Sequence, residues 1–319
     1  MKRYAILLVV LGAALWGTDS LFRRPLSSEL SPVTIVLLEH CLLSVLMLPF
    51  LLGPGSRSQA LRRTDIVSLL FIAIGGSVAA TSLFTYGIKY GNPSVVVVLQ
   101  KTQPLFAIFL ARLFLRERSG RWFWFCLAPA LVGAILISVP DWRAGLSSGE
   151  RGLSSIVAAL GAAFLWGAST VFGRYTLDRL PVLRLTAMRF LLALPVLVVA
   201  YFLQPQSSRS LPNSAGEAGL LVSMALFSSL AGLLLYYRGL QFTRASVAAV
   251  AEMAFPLTAV VANWLVLGVR LSASQVLGAA VLVVAITGLT YLDASREKPG
   301  VAGAGLDNLS TTPPSPGSF

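Results

Sequence analysis

The chain has 319 residues, 56% of them hydrophobic and only 12% charged, with a mean hydropathy of +0.78. A soluble domain carries about 25% charged residues, so a water-covered globule of this size is excluded and lipid must solvate most of the surface. The net charge of +12 does not mark a nucleic-acid binder, because the basic residues sit in short clusters between apolar runs, form no continuous face and accompany no nucleic-acid-binding motif.

A helix that crosses the hydrocarbon core needs roughly 20 residues. Ten apolar stretches of that length follow one another: 4–22, 33–52, 66–87, 94–114, 122–139, 153–172, 183–203, 217–237, 246–267 and 273–292. Without strand alternation only helices fit, because in lipid every backbone polar group must be paired within its own segment. The start, Met1-Lys2-Arg3 and an apolar run, has the outline of a signal peptide. Asp19, Arg23 and Arg24 follow without a small-residue cleavage site, so this segment counts as the first span. Ser31-Pro32, Asn92-Pro93-Ser94 and Pro181 stand where helices begin, where the N–H that proline lacks would go unused. Cys41 and Cys126 lie inside apolar runs and read as small buried hydrophobes, not a disulfide framework. The connections 140–152 and 204–216 are rich in Ser, Gly, Pro and charge, and residues 293–319 lose apolar periodicity, which predicts a disordered tail.

The spans divide into two copies of one pattern. Leu15-Trp16-Gly17 returns as Leu165-Trp166-Gly167, while Ser94-Val95 and Pro104-Leu105 return as Ser246-Val247 and Pro256-Leu257. The expected units are 1–145 and 146–292, each with five spans. Five is odd, so the second copy lies upside down in the bilayer. An inverted pair around a shared centre is the architecture of a secondary transporter.

Loop charge gives orientation. With the N-terminus inside, the inner segments hold sixteen Lys and Arg residues, among them Arg62, Arg63, Arg116, Arg118, Arg174, Arg179 and Arg244. The outer segments hold seven: Arg23, Arg24, Lys89, Arg143, Arg151, Arg209 and Arg270. Both termini are therefore expected in the cytoplasm, in a multi-pass protein of the cytoplasmic (inner) membrane.

Several motifs carry a family resemblance: the repeated Leu-Trp-Gly, the run Arg189-Phe190-Leu191-Leu192-Ala193-Leu194-Pro195, the paired Pro104-Leu105 and Pro256-Leu257, and the junction Leu115-Arg116-Glu117-Arg118. Over residues 5–292 the chain resembles the EamA family of the drug/metabolite transporter superfamily. The resemblance implies an all-α fold of ten transmembrane helices in two inverted five-helix repeats around a central cavity. It also implies transport, with export favoured, of small metabolites, often amino acids or related zwitterions. The chain departs from the family pattern at Glu39, where an arginine like Arg189 is common, and at Gly268-Val269-Arg270, which lacks the acidic residue of the first junction.

An ionisable side chain deep in a membrane costs about 2.5–3.5 kcal/mol on insertion scales and calls for a reason. The few present are Asp19, Glu39, His40, Lys101, Arg189 and Glu252. The repeat maps Glu39 onto Arg189 and Gln100-Lys101 onto Glu252-Met253. At 1.5 Å per residue, Glu39 and Lys101 each lie about 10 Å below the outer end of their helices, and Arg189 and Glu252 about 10 Å above the inner end of theirs. Two ion pairs at matched depths are predicted, Glu39–Lys101 and Arg189–Glu252, either as gates that part for a charged solute or as static packing pairs. His40 is either a proton relay or a hydrogen-bonded packing residue, and protons are a candidate coupling ion at Glu39 or Glu252. Trp16 and Trp166 lie well inside their spans, which favours cavity lining over an interfacial anchor. Ser77, Ser229, Tyr86, Tyr237 and Asn263 offer hydrogen bonds to a solute, with close helix contact as the alternative for the serines. Pro104 and Pro256 predict paired bends beside Gln100 and Glu252, as hinges or as fixed kinks. No P-loop, no metal-binding Cys/His cluster and no nucleophile–base pair is present, so the expectation is no cofactor, no metal and no enzyme activity. A small solute and membrane lipids are the expected partners, and the oligomeric state is not legible. The rival readings are a lipid-linked carrier or flippase, a membrane enzyme and a membrane scaffold.

Overall fold

The computed structural model describes residues 4–52, 61–138, 152–268 and 270–296, and these form helices and no strand. Nine of the helices are long and apolar enough to cross a membrane, and a tenth, Pro32–Met47, is a shorter apolar helix. In chain order the ten are α1 (Ala5–Leu26), α2 (Pro32–Met47), α3 (Arg63–Tyr90), α4 (Val95–Phe114), α5 (Arg121–Ser138), α6 (Gly152–Leu177), α7 (Val182–Leu203), α8 (Ala215–Leu240), α9 (Ala245–Val266) and α10 (Ala273–Arg296). The 16 residues of α2 rise only about 24 Å, and the short helix Pro49–Leu52 carries that span on. α1 and α6 run a full turn beyond their predicted ends, and α10 continues to Arg296, into what the sequence reads as tail. The rest of that predicted tail and the expected repeat boundary at residue 145 lie outside the described residues.

The main helix contacts cross between the two halves. α1 packs on α8 and α9, and its counterpart α6 packs on α3 and α4; α2 lies on α7 and α5 on α10. The repeated Trp-Gly pair explains how the first helix of each half inserts so deeply. A Cβ on Gly17 would stand 2.7 Å from the Phe255 carbonyl oxygen, and one on Gly167 would stand 2.8 Å from that of Gln103. Gln103 and Phe255 are themselves equivalent positions, so one close crossing is built twice. Only glycine lets the backbones approach this far in a membrane.

Two irregularities are also duplicated. α3 is π-helical over Phe71–Ala79 and α8 over Met224–Ala231. The wider turn frees backbone carbonyls and is frequent at functional sites. α4 breaks between Val95–Gln100 and Gln103–Phe114, and α9 between Ala245–Ala251 and Ala254–Leu267. Pro104 and Pro256 sit in the first turn after these breaks, where the missing N–H costs little. The predicted bends are thus tight turns between two helical pieces.

The symmetry fails at the ends of the bundle. Where α3 and α9 begin and α4 and α6 finish, polar contacts fasten the halves together. The Glu117 carboxylate accepts from the Ala245 and Ser246 N–H groups at 2.7 and 3.0 Å and from the Ser246 hydroxyl at 2.6 Å. Arg179 pairs with the fully buried Asp65 across the halves, and within the second half Arg174 donates to the Thr243 carbonyl at 3.0 Å. Behind this lock all seven residues of Ala245–Ala251 are buried. The equivalent stretch at the opposite end, 95–100, is half-buried throughout except for Val96. Leu257 through Asn263 in α9 are likewise all half-buried. A helix packed on its inner face and lipid-facing outside would alternate, so uniform half-exposure over two turns means an uncovered inner face. The bundle is sealed at the Glu117 end and open at the other.

Glu117→Gln removes the charge from a lock whose charge-assisted bonds are worth roughly 1.5–3 kcal/mol each. With Ala248→Cys in a background lacking Cys41 and Cys126, this variant should raise the rate of modification by a water-soluble thiol reagent at least about tenfold. An unchanged rate would mean that Glu117 does not hold that end shut.

Candidate functional site

The breaks in α4 and α9 face each other across a central cavity of about 290 Å³. This lies just below the usual range for ligand sites, roughly 300–1,000 Å³. Trp16, Trp166, Tyr236 and Phe255 line it with rings, Gln100, Lys101, Gln103, Thr170, Arg189 and Glu252 with polar groups, and Pro104 and Pro256 at the turns.

Glu252 is the polar centre. Oε1 accepts from the Tyr236 hydroxyl at 2.6 Å and from Thr170 Oγ1 at 2.9 Å, and Oε2 accepts from Gln103 Nε2 at 2.8 Å. Gln100 Nε2 donates in turn to Gln103 Oε1 at 3.0 Å. Side chains from α4, α6, α8 and α9 thus converge on one carboxylate, and this network spans both halves. Repeat symmetry would place Gln100 opposite Glu252, Ser20 opposite Thr170 and Phe84 opposite Tyr236. The fold is duplicated but the acid and its donors are not.

The rings keep the symmetry that the polar groups lose. Trp16 packs on Tyr236 with centroids 4.8 Å apart, and Trp166 packs on Phe84 at 5.4 Å. The Trp166 indole N–H donates to the Gly76 carbonyl at 3.0 Å, using a backbone acceptor in the π-helical turn of α3. Both tryptophans stand in the cavity wall.

The predicted ion pairs do not form. Glu39 is buried and pairs with Arg23 at 3.4 Å, and Arg23 also binds Asp19 at 2.5 Å. This cluster sits beyond the kink at Thr18 in α1, on the open side of the bundle. Lys101 is 7% exposed, makes no ion pair among the described residues, and faces the Phe255 ring at 5.6 Å. Arg189 binds neutral partners: Nε donates to Ser77 Oγ at 3.0 Å and Nη1 to the Tyr237 hydroxyl at 2.9 Å. Depth along a helix does not decide such pairs, because the direction in which each side chain points is set by helix rotation.

Other predicted residues fall outside the cavity wall. His40 Nδ1 is bonded to the Val36 carbonyl at 2.9 Å, and the ring stands edge-on to Phe190, a packing arrangement. Tyr86 meets Ser154 at 3.4 Å and the ring of Tyr90. Ser77 reaches the site only through Arg189, Ser229 is half-buried in the π-helical stretch of α8, and Asn263 accepts from Ser20 at 3.1 Å. Thr170 and Tyr236 are the residues that sequence reasoning missed. The available signals were position: Thr170 lies one turn beyond Trp166 on the same helix face, and Tyr236 adjoins Tyr237 in the counterpart of Phe84.

A sequence profile of the EamA-like transporter family matches residues 3–139 and matches again at 153–291. The chain belongs to the EamA-like transporter family. The riboflavin transporter ImpX of Fusobacterium nucleatum subsp. nucleatum is 30% identical over 292 residues, covering 90% of this chain and 97% of that protein. A riboflavin transporter of Vibrio cholerae serotype O1 is 26% identical, covering 84% of this chain and 86% of that one. A solved crystal structure superposes with a TM-score of 0.75 over 94% of this chain and 100% of that one, at 16% identity, a likeness of fold. This EamA-like chain is thus a multi-pass membrane transporter of a small molecule, not an enzyme.

Tyr236→Phe deletes one donor to Glu252 and keeps the ring, in the manner of Phe84. Leaving a buried carboxylate short of a partner costs about 1–3 kcal/mol. The variant should melt several degrees below the parent in detergent, whereas the equivalent change at the rim of the bundle, Tyr86→Phe, should leave the melting temperature within about a degree. Equal effects of the two changes would contradict a Glu252-centred network.

Proposed function

We propose that this protein carries riboflavin, or a closely related flavin, across the cytoplasmic membrane by alternating access. One observation carries the reading: the cavity combines ring-lined walls with a cluster of hydrogen-bonding groups at one side. A flavin has the matching anatomy, a flat tricyclic body with an apolar benzenoid end, a dioxopyrimidine end rich in donors and acceptors, and a hydroxylated chain. Offset or edge-on contact with aromatic rings adds about 0.5–1.5 kcal/mol per pair beyond area burial. The names of the Fusobacterium and Vibrio relatives support the same solute. An amino acid uses little of this aromatic wall and has weaker support.

In this reading the Glu117 end is cytoplasmic, in keeping with the excess of Lys and Arg expected there, and the open cavity faces the outside. The breaks in α4 and α9, with Pro104 and Pro256, are the hinges at which access changes ends. Trp16, Trp166, Gln100, Gln103, Tyr236 and Glu252 surround the solute, and Arg189 with Tyr237 and Ser77 braces the wall. Loading from the open side serves uptake; export requires the reverse sequence through the same states.

The purified protein in proteoliposomes should accumulate riboflavin against empty liposomes, with saturation, and unlabelled flavin should compete while amino acids should not. Trp166→Ala should reduce that flux at least about tenfold by removing a ring contact and an indole hydrogen bond. Saturable flux of an amino acid with none of riboflavin would overturn the proposal.

A further inference from the structure

Among the described residues, Lys101 is the charged cavity group that the protein leaves without a polar partner. Its side chain is more than nine-tenths buried, lines the cavity at the α4 break, and has only the face of Phe255 before it. An ammonium presents three donors, and a buried charge without partners is costly. The membrane-embedded acids Glu252 and Glu39 are engaged elsewhere, Glu252 by three donors and Glu39 by Arg23. Its counterpart under the repeat is Met253, so the duplication of the fold does not account for a cation here.

We propose that Lys101 anchors the electron-rich edge of the transported solute, and that in a flavin this edge is the dioxopyrimidine ring and not the hydroxylated chain. The flavin assignment rests on the function proposed above; the anchor role does not. The two ring carbonyls supply acceptors for the ammonium, and the imide N–H between them supplies a donor for a side-chain oxygen of Gln100 or Gln103 across the break. The ring body then extends from Lys101 towards Trp16 and Trp166. A solute that leaves takes the acceptors with it, so the empty site keeps its affinity for the next one.

The test uses the full chain in lipid nanodiscs. Dissociation constants are measured for riboflavin, for lumichrome (the dioxo ring system without the chain), for phenazine (three fused rings without carbonyls) and for indole-3-acetate, with the parent and with Lys101→Met and Lys101→Arg. Lys101→Met should weaken riboflavin and lumichrome by a similar factor, at least about tenfold, and leave phenazine within about twofold; Lys101→Arg should recover most of the loss. Without ligand, Lys101→Met should melt at or above the parent temperature, because an unanswered buried charge has been removed. A loss for riboflavin alone overturns the ring assignment. Unchanged constants for every solute that the parent binds, or a ligand-free melting temperature lowered by more than about 5 °C, overturn the anchor. If the parent binds indole-3-acetate but no flavin, and Lys101→Met abolishes that binding, the flavin reading fails and the anchor stands. Binding of no solute by the parent overturns both.

Discussion

In lipid, a backbone N–H or C=O without a partner costs several kcal/mol, and that constraint decides where this protein can be irregular. Two of its spans, α4 and α9, are interrupted at equivalent places that border the central cavity, Gln100–Gln103 and Ala251–Ala254. Interruptions of that kind are tolerable only where protein or a polar cavity replaces the lost partners. Both face the same hollow, and Gln100, Lys101, Gln103 and Glu252 all stand at or beside them. The polar chemistry of the site and the weak points of the helices are therefore the same residues.

Duplication supplies the frame and divergence supplies the site. Gly17 and Gly167 make the same crossing, Trp16 and Trp166 hold the same wall, and the π-helical turns of α3 and α8 correspond. On this frame one half carries Thr170, Tyr236 and Glu252 where the other has Ser20, Phe84 and Gln100. The ends diverge in the same way. Arg116 and Gly268 are equivalent and both adopt a left-handed backbone, at φ 56° and 66°. The following residue is Glu117 in one copy and Val269 in the other, so only one junction brings a carboxylate to cap the facing helix. The closed end is the one with the acid.

Much of this was legible in the sequence. Ten apolar runs, the Leu-Trp-Gly repeat and an odd number of spans per copy suffice for the fold, because length and hydrophobicity act through the bilayer and need no tertiary detail. Trp16 and Trp166 were legible for a related reason: a tryptophan away from both interfaces has no anchoring role left. The partners of the charges were not legible. Glu39 finds Arg23 because α1 continues a full turn past residue 22, over residues that look like loop when only hydrophobicity is read. Arg189 finds Ser77 and Tyr237 because neighbouring helices rotate hydroxyls towards it. Thr170 and Tyr236 were silent because Thr and Tyr are ordinary in membrane helices; only their positions relative to the repeat distinguish them.

The central claim is that two inverted copies, broken at one central site, open at one end as they close at the other. Spin-label distances in nanodiscs test it directly, with one pair at Arg63 and Arg238 on the sealed end and another at Lys89 and Leu211 on the open end. With riboflavin present on both sides, the account predicts a second population in which the first distance lengthens and the second shortens together. Distances that stay single at both ends, or that lengthen at both ends at once, would contradict it.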